Sequence, residues 1–304
     1  MQPFLSIGIP SKGESASLQR TVRSLTQTTA WTSTPKANRE IIICVNGISN
    51  HNDQSVLFAH QLEKEFPGVR VIVQKAPGKN KAINTIARAA NPHANEIYFS
   101  DADVVVSRNS VGDVLDALRK DPKHDLAAPE TIPAASYSPK KARSPLQEYD
   151  VARARILSTK HMHTLIGRGY AVRREFILAN PLPESHTIGD DAYLYQRFKN
   201  RIIMVPRAKV FYKSSSFCDR IKQRTRNIRQ NKRLEDYPET KKVADKRKTL
   251  VSLEKRKEFA KASGKVKFGA AIHATTTLLG RIRTKFPTKD PWPRISSSKS
   301  RKRR

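Results

Sequence analysis

Four short apolar runs punctuate the first hundred residues, and three of them lead into segments with helical spacing. Phe4-Leu5-Ser6-Ile7-Gly8-Ile9-Pro10 is stopped by its proline, and Leu18, Val22 and Leu25 then recur three or four residues apart. Ile41-Ile42-Ile43-Cys44-Val45 breaks at the turn dipeptide Asn46-Gly47. A helix over residues 56–66 follows, with Leu57, Leu62 and Phe66 expected on one side. Val69-Arg70-Val71-Ile72-Val73 and Glu96-Ile97-Tyr98-Phe99-Ser100 are the third and fourth runs, separated by an Ala-rich helix expected over residues 81–90. Strands this apolar need cover on both faces, and alternation with helices supplies it. The expected class is α/β, with a mostly parallel central sheet flanked by helices. Ligands of such sheets bind beyond the carboxyl ends of the strands. Chemistry is therefore sought in Pro10-Ser11-Lys12-Gly13-Glu14, Asn46-Gly47, Gly78-Lys79 and Asp101-Ala102-Asp103.

Asp101-Ala102-Asp103 follows the fourth run directly. In a tight turn both carboxylates of a D-x-D can face one pocket, where one meets a sugar-nucleotide hydroxyl and the other a hard divalent cation shared with phosphates. A solvated turn is the alternative, since Asp is common after strands.

Taken in order, six segments resemble the family 2 glycosyltransferases, which have a GT-A fold. Leu5-Ser6-Ile7-Gly8-Ile9-Pro10 resembles the opening strand, with Glu14 at the acid shortly after it. Gly78-Lys79-Asn80-Lys81-Ala82-Ile83-Asn84 is similar to G-K-x-x-A-L-N, and Asp101-Ala102-Asp103 to the D-x-D. Gly167-Arg168-Gly169-Tyr170-Ala171-Val172-Arg173-Arg174 resembles the glycine-containing segment ending in R-R. Asp190-Asp191-Ala192-Tyr193-Leu194 with Arg197 resembles E-D-x-x-L-x-x-R, Asp190 standing for Glu. Gln223-Arg224-Thr225-Arg226-Asn227 resembles the Q-x-x-R-W of polysaccharide and glycolipid synthases, with Asn227 in place of Trp. The second strand ends in Asn46 where the family has an acid. The resemblance spans about Phe4 to Arg229 and implies a GT-A domain over residues 1–230; the charge and composition beyond it predict a basic helical C-terminal extension over 231–290 and a disordered basic tail over 291–304.

The implied reaction is inverting transfer of a sugar from a nucleoside-diphosphate sugar, expected to be a UDP-sugar, to a hydroxyl acceptor. Asp191 would be the general base. Asp103, with Asp101, would hold Mn²⁺ or Mg²⁺. Pro10, Lys12, Glu14, Asn46, Lys79, Asp101, Gln223 and Arg226 would bind the donor, Lys79 and Arg226 adding positive charge at the diphosphate. Plainer alternatives stay open: Asp190-Asp191 as a helix cap, residues 223–229 as a basic helix face, and His161 and His163 as a polar surface pair. Tyr193 and Tyr195 are expected to be packing residues.

Charge points to the partners. Lys and Arg number 58 against 27 Asp and Glu, a formal net charge of +31. Residues 213–304 hold 29 of the former and 8 of the latter. Such an excess predicts polyanionic neighbours, either an anionic membrane surface or nucleic acid. In residues 265–286, Val266, Phe268, Ile272, Leu278, Leu279, Ile282 and Phe286 lie among Lys265, Lys267, Arg281, Arg283 and Lys285. This segment suits either the interface of an anionic bilayer or packing on the catalytic domain. No run reaches the roughly 18–20 apolar residues that span a bilayer. Cys44 and Cys218 exclude a disulfide scaffold, and no disulfide-linked partner is expected. The expected location is cytoplasmic, with peripheral attachment at the inner face of a membrane as one option. Three functions follow: transfer to a glycolipid or cell-surface glycan precursor, transfer to nucleic acid such as a modified DNA base, or non-catalytic nucleic-acid binding on the same scaffold.

Overall fold

The computed structural model describes residues 3–13, 16–48, 53–134, 143–159, 167–184, 188–234 and 262–285. They fall into two compact units. The first is drawn from Met1–Thr131 and Leu165–Phe211, the second from Ile132–Thr164 and Tyr212–Ser298.

In the first unit, β1 (Leu5–Ser11) is buried along its whole length. It pairs in parallel with β2 (Arg39–Asn46) on one side and β4 (Glu96–Ser100) on the other, and β2 pairs in parallel with β3 (Val69–Gln74). Beyond β4 the sheet turns antiparallel through β7 (Gly169–Arg173), which pairs with β6 (Leu126–Pro133). The described sheet ends with β8 (Ile202–Tyr212) and β5 (Val104–Val106), giving the order β3-β2-β1-β4-β7-β6-β8-β5. The expected parallel core is thus present, joined through β7 to further strands that the four apolar runs did not disclose. β5 is short, and its backbone is met by side chains of α1 (Ala16–Thr26): Thr21 Oγ1 donates to Val104 O at 2.7 Å, and Val106 N donates to Ser24 Oγ at 3.1 Å. Hydroxyls thereby occupy backbone groups that an edge strand would leave open.

Helices cover the sheet as the periodicity requires. Leu18, Val22 and Leu25 of α1 are fully buried. α2 (Thr29–Ser33) follows at once, and Trp31 is its buried residue. In α3 (Gln54–Glu65) the buried residues are Ser55, Val56, Ala59 and Leu62, while Leu57 is 58% exposed. Leu62 is buried as expected, but Leu57 is not: steps of three from Val56 return to the sheet, and Leu57 is rotated about 100° away. α4 (Lys79–Ala89) begins two residues earlier than expected, because Gly78 takes φ 136° and accepts the first helical bond from Ala82 N at 3.0 Å. Gly8 admits α4 closely to the sheet: a Cβ there would lie 2.7 Å from Ile86 Cγ2 and 2.9 Å from the Phe99 ring. α5 (Ser110–Lys120) buries Val111, Val114, Leu115 and Leu118. Glu40 is buried but well supplied, accepting from Ser6 Oγ at 2.9 Å, Arg70 Nε at 2.9 Å and Asn91 N at 2.7 Å. A buried carboxylate with such partners joins strands rather than weakening them.

The second unit contains α6 (Pro145–Thr159), α9 (Phe217–Leu234) and α10 (Gly264–Thr284), numbered after α7 (Arg174–Ala179) and α8 (Asp190–Phe198) of the first. Asp150 of α6 and Arg220 of α9, both buried, form a two-pronged pair at 2.9 and 2.5 Å. The Tyr149 and His273 rings lie 4.7 Å apart, joining α6 to α10. The dipeptide Tyr237-Pro238, where the sequence predicts a break in the basic helical stretch, lies outside the described residues.

Candidate active site

Lys79 opens α4 at the carboxyl edge of the parallel strands. A lysine in the first turn opposes the helix dipole, so its ammonium needs anions close by. It has two: Asp101 Oδ1 at 2.7 Å and Asp190 Oδ1 at 3.0 Å, and it also donates to Gly167 O at 2.9 Å. Burial alone would depress the ammonium, but Asp101, Asp190 and Asp191 together hold its pKa above the usual range. The lysine stays charged at any working pH. Four chain segments, after β4, before β7 and at the starts of α4 and α8, thereby meet at one Nζ.

Asp190 and Asp191 form the first turn of α8, with Gly189 as its cap residue, so neither is the cap itself. Asp190 is buried, and its Oδ2 has no hydrogen-bond partner among the described residues. Burial pushes its pKa up to about 6, with Asp191 and Asp101 adding repulsion and Lys79 pulling the other way. Asp191 is half-buried and accepts from Ala192 N at 2.8 Å. The Tyr170 phenol of β7 is buried near these acids. Burial, then Asp190, Asp101 and Asp191, push its pKa well up, so it remains protonated; its hydroxyl makes no hydrogen bond of good geometry.

Two asparagines of α4, one turn apart, fix the approach to α8. Asn84 exchanges a pair of bonds with Leu182: its Nδ2 donates to Leu182 O at 2.9 Å, and Leu182 N donates to its Oδ1 at 2.9 Å. Asn80 Nδ2 donates to Pro183 O at 2.8 Å and Ile188 O at 3.1 Å. The helix that carries the lysine thus also aims the segment that delivers both aspartates. Gly167 is the matching close approach, since a Cβ on it would stand 2.8 Å from Asp190 Oδ2 and 3.1 Å from Asp191 Cβ.

Of the other expected site residues, Pro10 is buried at the end of β1, level with Cys44. Asn46 is buried and clips two loops: its Nδ2 donates to Ser11 O at 2.8 Å and its Oδ1 accepts from Gly78 N at 3.0 Å. Lys12 is half-buried beside Gly47, its Cε 3.3 Å from where a Cβ on that glycine would sit. Asp101 and Asp103 are half-buried in the turn between β4 and β5, with Asp101 N donating to Arg168 O at 3.1 Å. Gln223 and Arg226 are half-buried on α9 in the second unit. Glu14, His161 and His163 lie outside the described residues. Tyr193 is buried, its hydroxyl oxygen accepting from Arg197 Nη1 at 2.7 Å, and Tyr195 is half-buried. Asp190, Tyr170 and Gly167 were not among the expected site residues. The paired acids and the glycine signalled the first and last, but nothing in the sequence placed Tyr170 beside them.

Residues 6–178 match the family described as glycosyl transferase family 2. The chain belongs to that family and is a glycosyltransferase. Its fold is shared with the mannosyltransferase PcManGT of Pyrobaculum calidifontis, solved with GDP-Man and Mn²⁺: TM-score 0.58, 15% identity, covering 94% of this chain and 88% of that one. S. aureus TarS gives TM-score 0.48 at 14% identity, over 70% of this chain, which spans only 37% of TarS. TarS 1–349 with UDP-GlcNAc gives 0.48 at 14%, over 70% and 59%. No curated protein matches the sequence.

Proposed function

We propose that this glycosyltransferase moves a sugar from a nucleoside-diphosphate sugar to a hydroxyl acceptor with inversion at the anomeric carbon. The observation that carries this is the cluster of Asp101, Lys79 and Asp190, with Asp191 adjacent, at the carboxyl edge of the parallel strands. The acceptor oxygen attacks the anomeric carbon while the bond to the diphosphate breaks and its electron pair leaves with that group. Asp191 takes the acceptor proton, as a carboxylate within reach of the nucleophile can. Lys79 is a fixed positive charge for the departing diphosphate, already held in place by its two acids. Asp190, buried beside the Tyr170 hydroxyl, serves to hold Lys79 in place. Pro10, Lys12, Glu14 and Asn46 would surround the nucleotide, and Gln223 and Arg226 would serve the donor.

A divalent ion fits the acids present in one particular way. Lys79 takes Asp101 Oδ1, and no group of three or more His, Cys, Asp or Glu among the described residues is arranged to hold a metal. Asp103 and Asp101 therefore suit an ion whose shell is completed by donor phosphates, the common mode for Mg²⁺ and Mn²⁺. When bound, Mn²⁺ or Mg²⁺ supplies Lewis-acid neutralisation of the diphosphate. The Mn²⁺ and GDP-Man of the Pyrobaculum enzyme support this assignment.

For the acceptor, a glycolipid or cell-surface glycan precursor is favoured, with the protein peripheral at the inner face of a membrane. No helix among the described residues is long and apolar enough to cross a membrane. Nucleic acid as acceptor is the second reading, favoured by the net charge of +31.

The test is donor binding and slow hydrolysis across a panel of nucleotide sugars, with and without Mn²⁺. Wild type should turn over one donor only with metal. Asp103→Ala should lose donor binding, whereas Asp191→Asn should bind and lose turnover by about 10²- to 10⁴-fold. Failure of the wild type to bind any donor would sink the proposal.

A further inference from the structure

α10 has two unlike faces, and the second unit uses only one of them. Val266, Gly269, Thr276 and Gly280 are its buried residues. A Cβ at Gly269 would collide with Pro145 O, and one at Gly280 would lie 2.9 Å from Arg224 Cβ. Small residues thus let α6 and α9 approach on that side. On the other side Phe268 is 61% exposed, Leu278 58%, Ile282 46% and Leu279 37%. At about 100° per residue these four fall within an arc of roughly 100°, turned away from the buried seam. Lys267, Arg281 and Lys285 border one edge of the arc, Lys265 and Arg283 the other, and all five are exposed. α10 contains no acidic residue.

We propose that this face of α10 is a membrane-surface anchor that lies in the plane of an anionic bilayer, its apolar arc among the acyl chains and its bordering cations at the head groups. A helix too polar to span, with a continuous apolar face between two basic borders, has the pattern of an interfacial helix. The placement of the cations decides between partners. A surface that tracks phosphates along nucleic acid carries its cations at the centre, with aromatic rings for stacking. Here the arc is Phe268, Leu278, Leu279 and Ile282, three of which are aliphatic and cannot stack on bases, and the charge stands at the rim. The sequence hides this division, because apolar and small residues occur all round α10 and only the packing shows which are taken. The inference deepens the membrane-side acceptor proposed above, but its test needs neither donor nor acceptor.

The experiment is co-sedimentation of the full chain with vesicles of equal parts phosphatidylglycerol and phosphatidylcholine, and with phosphatidylcholine alone, at near-physiological salt. Wild type should pellet with the anionic vesicles and much less with the neutral ones. The double change Phe268→Ser with Leu278→Ser should weaken binding at least about tenfold, since each removes a side chain from the acyl region. Lys267→Gln with Arg281→Gln should weaken it by about 25-fold, near fivefold per cation. All four positions are exposed, so thermal melts and donor hydrolysis in solution should match wild type. Phe268→Trp should blue-shift its emission on anionic vesicles relative to wild type. Unchanged pelleting of the Ser variant would overturn the proposal. So would its weaker binding to duplex DNA, or a change in its native mass, with vesicle binding intact. A chain that failed as a transferase but passed this test would still have the anchor, so the two failures are distinguishable.

Discussion

A Cβ on Gly167 would stand 2.8 Å from Asp190 Oδ2 and 3.1 Å from its Oδ1. The glycine's carbonyl meanwhile accepts from Lys79. One residue therefore supplies both a bond and a clearance to the same cluster. Gly167→Ala should displace the acids and weaken the fold by about 1–3 kcal/mol, the usual range for overpacking. Donor turnover should fall at least tenfold by the near-attack argument that small misplacements are costly. Urea unfolding together with hydrolysis rates would check both.

Lys79 neutralises a carboxylate that is only 4% exposed. Lys79→Met should cost about 3–5 kcal/mol at neutral pH, because breaking a buried pair strands the remaining charge. The loss should shrink at pH 5, where Asp190 can take a proton. Combining the change with Asp190→Asn should recover much of the loss. A double-mutant cycle showing simple additivity would refute the coupling.

Asp190 carries a folded-state pKa of about 6, above its ordinary 3.8. The folded protein thus holds this proton more tightly than the unfolded chain. The stabilisation is complete below the unfolded value and is lost as pH rises through about 6. Asp190→Asn removes that dependence. The stability of the Asn variant relative to wild type should rise between pH 4 and 7 and level off above. A difference that stayed flat across this window in chemical denaturation would contradict the burial assignment.

Asn84 is buried and gives both halves of its amide to Leu182. Asn84→Ala should cost about 1–3 kcal/mol, since it strands a backbone N–H and a carbonyl. Turnover should fall while the affinity for donor changes less, because the segment that aims Asp190 and Asp191 is loosened. Parallel calorimetry and kinetics on the variant would separate the two effects.

Much of the fold was legible because strand burial and helix period are local. Ile41, Ile42 and Ile43 are fully buried as their run demands, and so are Leu18, Val22 and Leu25. The face of α3 was misjudged because Leu57 outranks Ala59 in hydrophobicity, although the sheet selects by angle. The later strands were missed because Leu126–Pro133 is interrupted by Pro129 and Glu130, and Ile202–Tyr212 by Pro206, Arg207 and Lys209. In the site, Lys79 and the acids could be named from their motifs. That the lysine bridges Asp101 and Asp190, or that Asn46 clips Ser11 to Gly78, depends on which segments the sheet places side by side.

The Lys79 ammonium draws together residues separated by 88 positions in its bond to Gly167, and Asn80 reaches Ile188 across 108. Contacts this distant form late, after the costs of closing long loops have been met. During synthesis, strands β1 to β4 can be complete while the lysine still lacks the partner that most needs it. A nascent chain ending before Asp190 holds the carboxyl edge of the strands without its acid pair, so the ion-pair cluster around Lys79 is completed in a single late event rather than growing with the chain.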